Sequence, residues 1–257
     1  MRQNPYRTLI LASGFIGLIL ITGLFLAWYW LGGRPQPSEQ SQELYPGVYY
    51  SRQVRQSPRP MVIHVVQVDL REEGISLLVT PGDPKAGLPL AARTTSEFLE
   101  EFNLQLAVNG DGFLPWRSNA PLDIYPRSGD GVDPIGLAAS EGVQYSSFTD
   151  NEPVLYLGRN NRAQFNSPGG KVYNAISGNL MLVARGKALP GLEGEPEPRT
   201  ALALDRRGRT LLIVVVDGRQ PGYSEGATLN ELAELVVEFG GYQGMNMDGG
   251  GSSTLVR

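Results

Sequence analysis

The stretch that most constrains this chain is Met245-Asn246-Met247-Asp248-Gly249-Gly250-Gly251-Ser252-Ser253-Thr254-Leu255-Val256. An apolar, strand-like run ends in a carboxylate. Three glycines and three hydroxyl residues follow, and a second apolar pair closes the segment. Glycine has no Cβ, so successive backbone N–H groups can turn inward and form a concave anion-binding nest. A flexible Gly/Ser linker has a similar composition, but apolar residues on both sides suit a strand–turn–strand better. The pattern predicts Asp248 at the rim of a ligand-binding turn, with amides from Gly249, Gly250 and Gly251 and hydroxyls from Ser252, Ser253 and Thr254 as donors.

Turns dominate the rest of the chain as well. Among its 257 residues are 32 glycines and 19 prolines, which predicts many short strands rather than a helical bundle. At 41% hydrophobic and 19% charged, the chain suits one globular domain or at most two. A net charge of −4 gives no global attraction to nucleic acid, so no nucleic-acid partner is expected. Cysteine is absent, which excludes a disulfide scaffold, a cysteine nucleophile and thiolate metal sites, and is neutral about compartment.

The amino-terminal region carries a different signal. No charged residue occurs from Thr8 to Gly33, and Leu9 to Leu31 is almost wholly apolar. A helix needs about 20 such residues to cross a bilayer. Arg2 and Arg7 precede the run and Arg34 follows it, a modest bias that places the amino end inside and the bulk outside. Trp28, Tyr29 and Trp30 fall where an interfacial aromatic belt would lie. A cleavable signal peptide is the competing reading, but its apolar core is shorter and ends in small residues, whereas this run ends Trp-Tyr-Trp-Leu. The expectation is an uncleaved anchor over residues 1–33, a proline-punctuated linker over 34–44, and a folded domain over 45–257 facing the periplasm or the exterior.

Within that domain, Met61 to Leu70 is rich in β-branched residues and reads as a strand, with Ile75 to Thr80 as a second after the Glu73-Gly74 turn. His64, the only histidine, lies inside the first strand among apolar neighbours and reads as structural, which makes a Ser-His-Asp triad an unfavoured reading. Thr94 with Glu97 three residues on is a capping box that opens a short helix, and Leu104 to Val108 reads as a strand after it. That strand ends at Asn109-Gly110-Asp111-Gly112-Phe113, either a second site element or a plain Asn-Gly hairpin turn. Residues 119–145 read as an acidic loop without the strict calcium-loop pattern, although Asp123, Asp130 and Asp133 could hold a hard cation.

Val154 to Leu157 reads as a further strand, and Ser177-Gly178 sits between two apolar runs as a bulge or tight turn. Ala201 to Asp205 and Thr210 to Val216 read as a hairpin closed by Arg206-Arg207-Gly208-Arg209. Thr228 and Glu231 form another capping box. The helix they start carries Leu229, Leu232, Ala233, Val236 and Phe239 on one face and stops at Gly240-Gly241. Many strands with two short helices argue an α+β fold with a mixed or antiparallel sheet core.

Four segments occur in one order: Pro198-Arg199-Thr200-Ala201, Val216-Asp217-Gly218-Arg219, Leu229-Asn230-Glu231-Leu232-Ala233 and Asn246-Met247-Asp248-Gly249-Gly250-Gly251-Ser252-Ser253-Thr254. That series resembles the phosphodiester glycosidase family, which includes uncovering enzymes acting on N-acetylglucosamine-1-phosphodiesters and bacterial members associated with exopolysaccharides. The Ala-Ile-Ser-Gly run ending at Gly178 and the Asn109-Gly110 turn also resemble family elements. Where the family's turn reads Asn-Gly-x-Phe-Phe, this chain has Gly112 in place of the first Phe.

The resemblance implies hydrolysis of a sugar-1-phosphodiester, with a glycan or glycosyl phosphodiester as partner and no cofactor, a divalent cation being left open. It implies Arg199 as a phosphate clamp, because guanidinium binds phosphate through paired hydrogen bonds. Asp248 is the first choice for nucleophile or base, with Asp217 or Asp111 second. Asn109, Gly110, Ser177, Gly178, Arg219, Gly249, Gly250, Gly251, Ser252 and Ser253 are the expected substrate contacts. Each aspartate also has a reading as a turn-capping residue. A glycan-binding module without catalysis is the alternative function.

Overall fold

The computed structural model describes residues 17–26, 34–120, 123–147 and 152–257. Its centre is explained by the strand Thr210–Val216, a nearly unbroken apolar run. Side chains alternate across a strand. Leu211, Ile213 and Val215 enter one buried cluster, while Leu212, Val214 and Val216 enter another on the opposite face. A sheet buried on both faces needs a cover on each.

The sheet has eight strands in the order Gln40–Tyr45, Val48–Arg55, Met61–Asp69, Thr210–Val216, Arg199–Leu204, Gln243–Asn246, Leu180–Ala184 and Lys187–Ala188. Every neighbouring pair is antiparallel. One face is covered by the helix Leu229–Glu238, which buries Leu232, Ala233, Leu235 and Val236. Burying such side chains stabilises by roughly 1.5–3 kcal/mol for each large one. The helix starts where the spacing predicts: the Thr228 hydroxyl accepts the Glu231 amide, and the Glu231 carboxylate accepts the Thr228 amide at 2.8 Å. The other face is covered by a five-stranded antiparallel sheet, whose Leu155, Leu157 and Phe165 meet Leu202, Leu211 and Ile213.

The α+β class therefore holds, with antiparallel pairing throughout both large sheets. The expected hairpin is Arg199–Leu204 with Thr210–Val216, closed by the Asp205 carboxylate, which accepts the amides of Arg209 and Thr210. Ser177-Gly178 is the point at which the chain leaves the five-stranded sheet for the eight-stranded one. A Cβ on Gly178 would lie 2.5 Å from the Asn246 carbonyl oxygen, so only glycine fits there.

Some expectations need correction. Residues 75–80 form no strand, because their carbonyls bond to side chains instead of a ladder. Asn161 donates to Ile75, Asn174 to Leu77 and Tyr145 to Thr80. The strand expected over 104–108 shrinks to Ala107–Val108, paired with Leu255–Val256. The region 119–145, read as loop, contains the short strands Asp123–Tyr125, Gly131–Pro134, Ala138–Ser140 and Val143–Ser146. Residues 17–26 are helical with mostly exposed side chains, and among the described residues no helix is long and apolar enough to cross a membrane. The remainder of the expected anchor, 1–16 and 27–33, lies outside the described residues.

Candidate functional site

The large sheet presents its polar residues at one end. Thr200 shares a face with Leu202 and Leu204 but sits beyond the apolar cluster they join. Its hydroxyl donates to Asn109 Oδ1 at 2.7 Å, and the Thr254 amide donates to the same oxygen at 3.1 Å. Asn109 Nδ2 donates in turn to the main-chain oxygen of Asp248 at 2.8 Å, and the Asp248 amide to that of Gly110 at 3.3 Å. Asn109 thus fastens its own turn to both ends of the terminal segment.

Asp111 follows on the same turn. Its carboxylate accepts the Ser177 hydroxyl at 2.5 Å and the amides of Gly112 and Gly136 at 2.8 and 3.3 Å. Burial pushes its pKa above the usual carboxylate value, and the neighbouring Asp248 carboxylate adds to the rise; the three donors oppose it. Ser177 is buried. At the position where the family expects phenylalanine, the side chain of Ile135 fills the space: a Cβ on Gly112 would lie 2.8 Å from its Cδ1.

The glycine turn is built differently from a row of inward amides. The Gly249 amide donates to Asp248 Oδ1 at 2.9 Å and the Gly250 amide to the Pro198 carbonyl at 2.9 Å. The turn then closes as a short 3₁₀ segment over Gly250–Ser252. Two amides counted as free donors are therefore spent on holding the turn. What the glycines provide is room. Gly250 has φ +60°, and a Cβ there would lie 2.9 Å from Arg219 Nη2. A Cβ on Gly249 would come within 3.9 Å of Arg199 Nη1.

Two guanidiniums therefore press against the turn. Arg199 donates Nε to the Ala227 carbonyl at 3.2 Å and Nη2 to the Glu195 carbonyl at 3.0 Å. Burial lowers its pKa, and the nearby positive charge of Arg219 contributes to the fall. Arg219, itself at φ +59°, donates to Glu197 Oε2 at 2.9 Å. Arg199 and Arg219 thus stand on the Gly249–Gly250 side of the turn with Glu197 as a nearby carboxylate.

Asp217 lies in a separate chain of contacts. His64 bridges the Tyr50 hydroxyl at 2.9 Å and Asp217 Oδ2 at 3.3 Å, and the Tyr223 hydroxyl donates to the same carboxylate oxygen at 3.3 Å. The two strands that bring His64 and Asp217 together are far apart in the sequence, so the apolar neighbours of His64 gave no sign of this partner.

Asn109, Gly110, Asp111, Ser177, Asp248, Gly251 and Ser252 line one cavity of about 910 Å³; Arg199, Asp217 and Arg219 do not. Gly178 lies behind this wall at the sheet crossover, and the Ser253 hydroxyl is buried without a hydrogen-bond partner among the described residues. Asp123, at the start of its strand, accepts from Arg117 and Asn119 on the neighbouring one, and Asp130 accepts the Arg127 amide. Among the described residues, no group of three or more acidic or histidine side chains gathers as a metal site.

No curated protein matches the chain. Among solved structures it is similar to the catalytic domain of zebrafish N-acetylglucosamine-1-phosphodiester alpha-N-acetylglucosaminidase, auto-inhibited by its pro-peptide. That match has 18% identity and a TM-score of 0.60, over 86% of this chain and 74% of the other. A hypothetical protein from Synechocystis matches at 14% identity and TM-score 0.57, over 86% of this chain and 59% of that one. A putative exported protein from Burkholderia pseudomallei K96243 matches at 14% and 0.56, over 79% and 71%. These likenesses concern the fold. The phosphodiester glycosidase family model matches residues 102–257, which carry the Asn109 turn, both arginines and the terminal glycines, and the chain belongs to that family.

Proposed function

We propose that this chain hydrolyses a glycosyl phosphodiester, with the phosphate seated at the turn that joins Asp248 to Ser252. The observation that carries this reading is the pair of guanidiniums, Arg199 and Arg219, held against Gly249 and Gly250 with Glu197 as the carboxylate between them. Fixed positive charge of this kind favours a phosphodiester anion and the charge that grows on it as it leaves.

In the reaction, water adds to the anomeric carbon, the bond from that carbon to the ester oxygen breaks, and the phosphomonoester departs with the electron pair. Asp248 acts on the attacking side, as the base that takes the water's proton or as a nucleophile that water later displaces. Asp111, whose pKa is raised by burial, lines the same cavity as Asp248 and is assigned to the side of the departing oxygen. Asn109 positions the Asp248 main chain. Asp217, held by His64 and Tyr223, orients the strand end that leads into Arg219.

The apolar run Leu9 to Leu31 supports a membrane anchor with the domain outside, acting on envelope or extracellular polysaccharide. The activity is tested by incubating the full chain with an N-acetylglucosamine-1-phosphodiester and following products by phosphorus NMR. Free sugar with a phosphomonoester supports the reading. A sugar-1-phosphate product, or no turnover with the diester bound, counts against it.

A further inference from the structure

The end of the eight-stranded sheet away from Asp248 carries two hairpin turns that the reaction above does not use. One joins Arg199–Leu204 to Thr210–Val216 and bears Arg206, Arg207 and Arg209. The other joins Leu180–Ala184 to Lys187–Ala188 and bears Arg185, with Lys187 at its foot. Tyr242 links the two. Its amide donates to the Leu204 carbonyl at 2.7 Å, and its carbonyl accepts the Gly186 amide at 2.9 Å. The Arg206 guanidinium lies over its ring, 5.8 Å from the centre.

Within the two turns, five exposed cations face one carboxylate, on a chain whose net charge is −4. That carboxylate, Asp205, accepts the amides of Arg207, Arg209 and Thr210, so it is turned into its own hairpin. Of the acidic residues nearby, Asp69 is held by Arg71 and Glu238 by Arg55. Glu72 packs against Gly47, and Glu73 lines the cavity. Turn chemistry does not call for the cations. Arg185 and Gly186 have φ +55° and +72°, a two-residue turn that asparagine, aspartate or glycine closes with least strain.

We infer that this face binds an anionic polysaccharide, as a second contact for a polymer whose phosphodiester is cut at the Asp248 turn. The choice of polymer rests on the phosphodiester reading above. Arg199 to Leu204 spans roughly 17 Å of strand, so only a chain several sugars long reaches both ends of the sheet. Holding the polymer here raises the local concentration of its cleavable bonds with no new contact at the site. An anionic bilayer suits the face less well. Arg34 and Gln36 contact Tyr223, beside Asp217 at the opposite end of the sheet, so the proposed anchor joins the domain away from these turns.

Titration of fluorescent dextran sulfate with the full chain, followed by anisotropy, tests this, with neutral dextran as control. Dextran sulfate should bind and neutral dextran should not, and the affinity should fall as salt rises. Arg206→Ser with Arg207→Ser should weaken binding by roughly tenfold. The same pair should leave hydrolysis of a methyl N-acetylglucosamine-1-phosphodiester unchanged. Arg185→Gly with Lys187→Ser makes the test from the other turn should the first variant fail to fold. Dextran sulfate binding that neither variant reduces overturns the inference. So does tighter binding of duplex DNA or of phosphatidylglycerol vesicles, reduced by the same substitutions. The two proposals fail separately. Turnover of the methyl diester without dextran sulfate binding sinks only this one. Dextran sulfate binding that these variants weaken, with no phosphomonoester ever released, sinks only the hydrolase.

Discussion

The side-chain amide of Asn109 donates to the main-chain oxygen of Asp248 across 139 positions of sequence, at 2.8 Å. The same side chain takes the Thr200 hydroxyl and the Thr254 amide on its other atom, so one residue fixes three segments. Asn109→Ala should therefore cost stability and rate together, with about 1–3 kcal/mol lost on unfolding. Asn109→Asp keeps the acceptor and loses the donor, and should hurt the rate more than the stability. Denaturant midpoints and hydrolysis rates on both variants check this. Equal effects of the two substitutions would contradict it.

Gly250 and Gly251 are adjacent and alike in sequence but not in surroundings. At Gly250 a methyl group meets both a positive φ and the Arg219 guanidinium. At Gly251 it meets nothing within 4 Å. Gly250→Ala should raise KM by about tenfold by displacing Arg219, with a destabilisation of roughly 1 kcal/mol from the left-handed backbone. Gly251→Ala should leave both quantities nearly unchanged. Steady-state kinetics with thermal denaturation on the pair separates these outcomes.

Asp111 carries a pH dependence of definite sign. Because burial raises its folded pKa, its contribution to stability is fully present below the ordinary carboxylate value, about 3.9. That contribution is lost as pH rises through the raised one. Asp111→Asn should lack that slope in denaturation midpoints measured from pH 4 upward. If Asp111 supplies the departing proton, activity should fall over the same window in the unmodified chain. Ser177→Ala removes a hydrogen bond that favours the charged form, so it should move the fall to higher pH. A fall at unchanged pH in Ser177→Ala would contradict the role given to that contact.

Much of the scaffold was legible because it is local. Both capping boxes form as spaced, and the hairpin at 205–210 closes on the aspartate that precedes its turn. What was not legible depends on pairings between distant segments. Ile75 to Thr80 has the composition of a strand, yet its carbonyls meet asparagine and tyrosine side chains from the second sheet. The glycine turn was read from its own residues as a nest, whereas Pro198, lying before another strand, takes one of its amides. Asp111 and Ser177 are 66 positions apart, and nothing in either turn announces the other. Arg199 and Arg219 follow neighbouring-strand logic: each stands at the same end of the paired strands Arg199–Leu204 and Thr210–Val216, a relationship visible once the hairpin is drawn in register.

The most direct measurement is the rate of phosphomonoester release by Asp248→Asn compared with the unmodified chain. Asparagine keeps the oxygen that accepts the Gly249 amide, so the turn should survive and the denaturation midpoint should stay the same. The rate should fall by roughly 10²- to 10⁴-fold, the usual contribution of a positioned carboxylate. A variant that folds equally well and releases phosphomonoester at the unmodified rate would contradict the account.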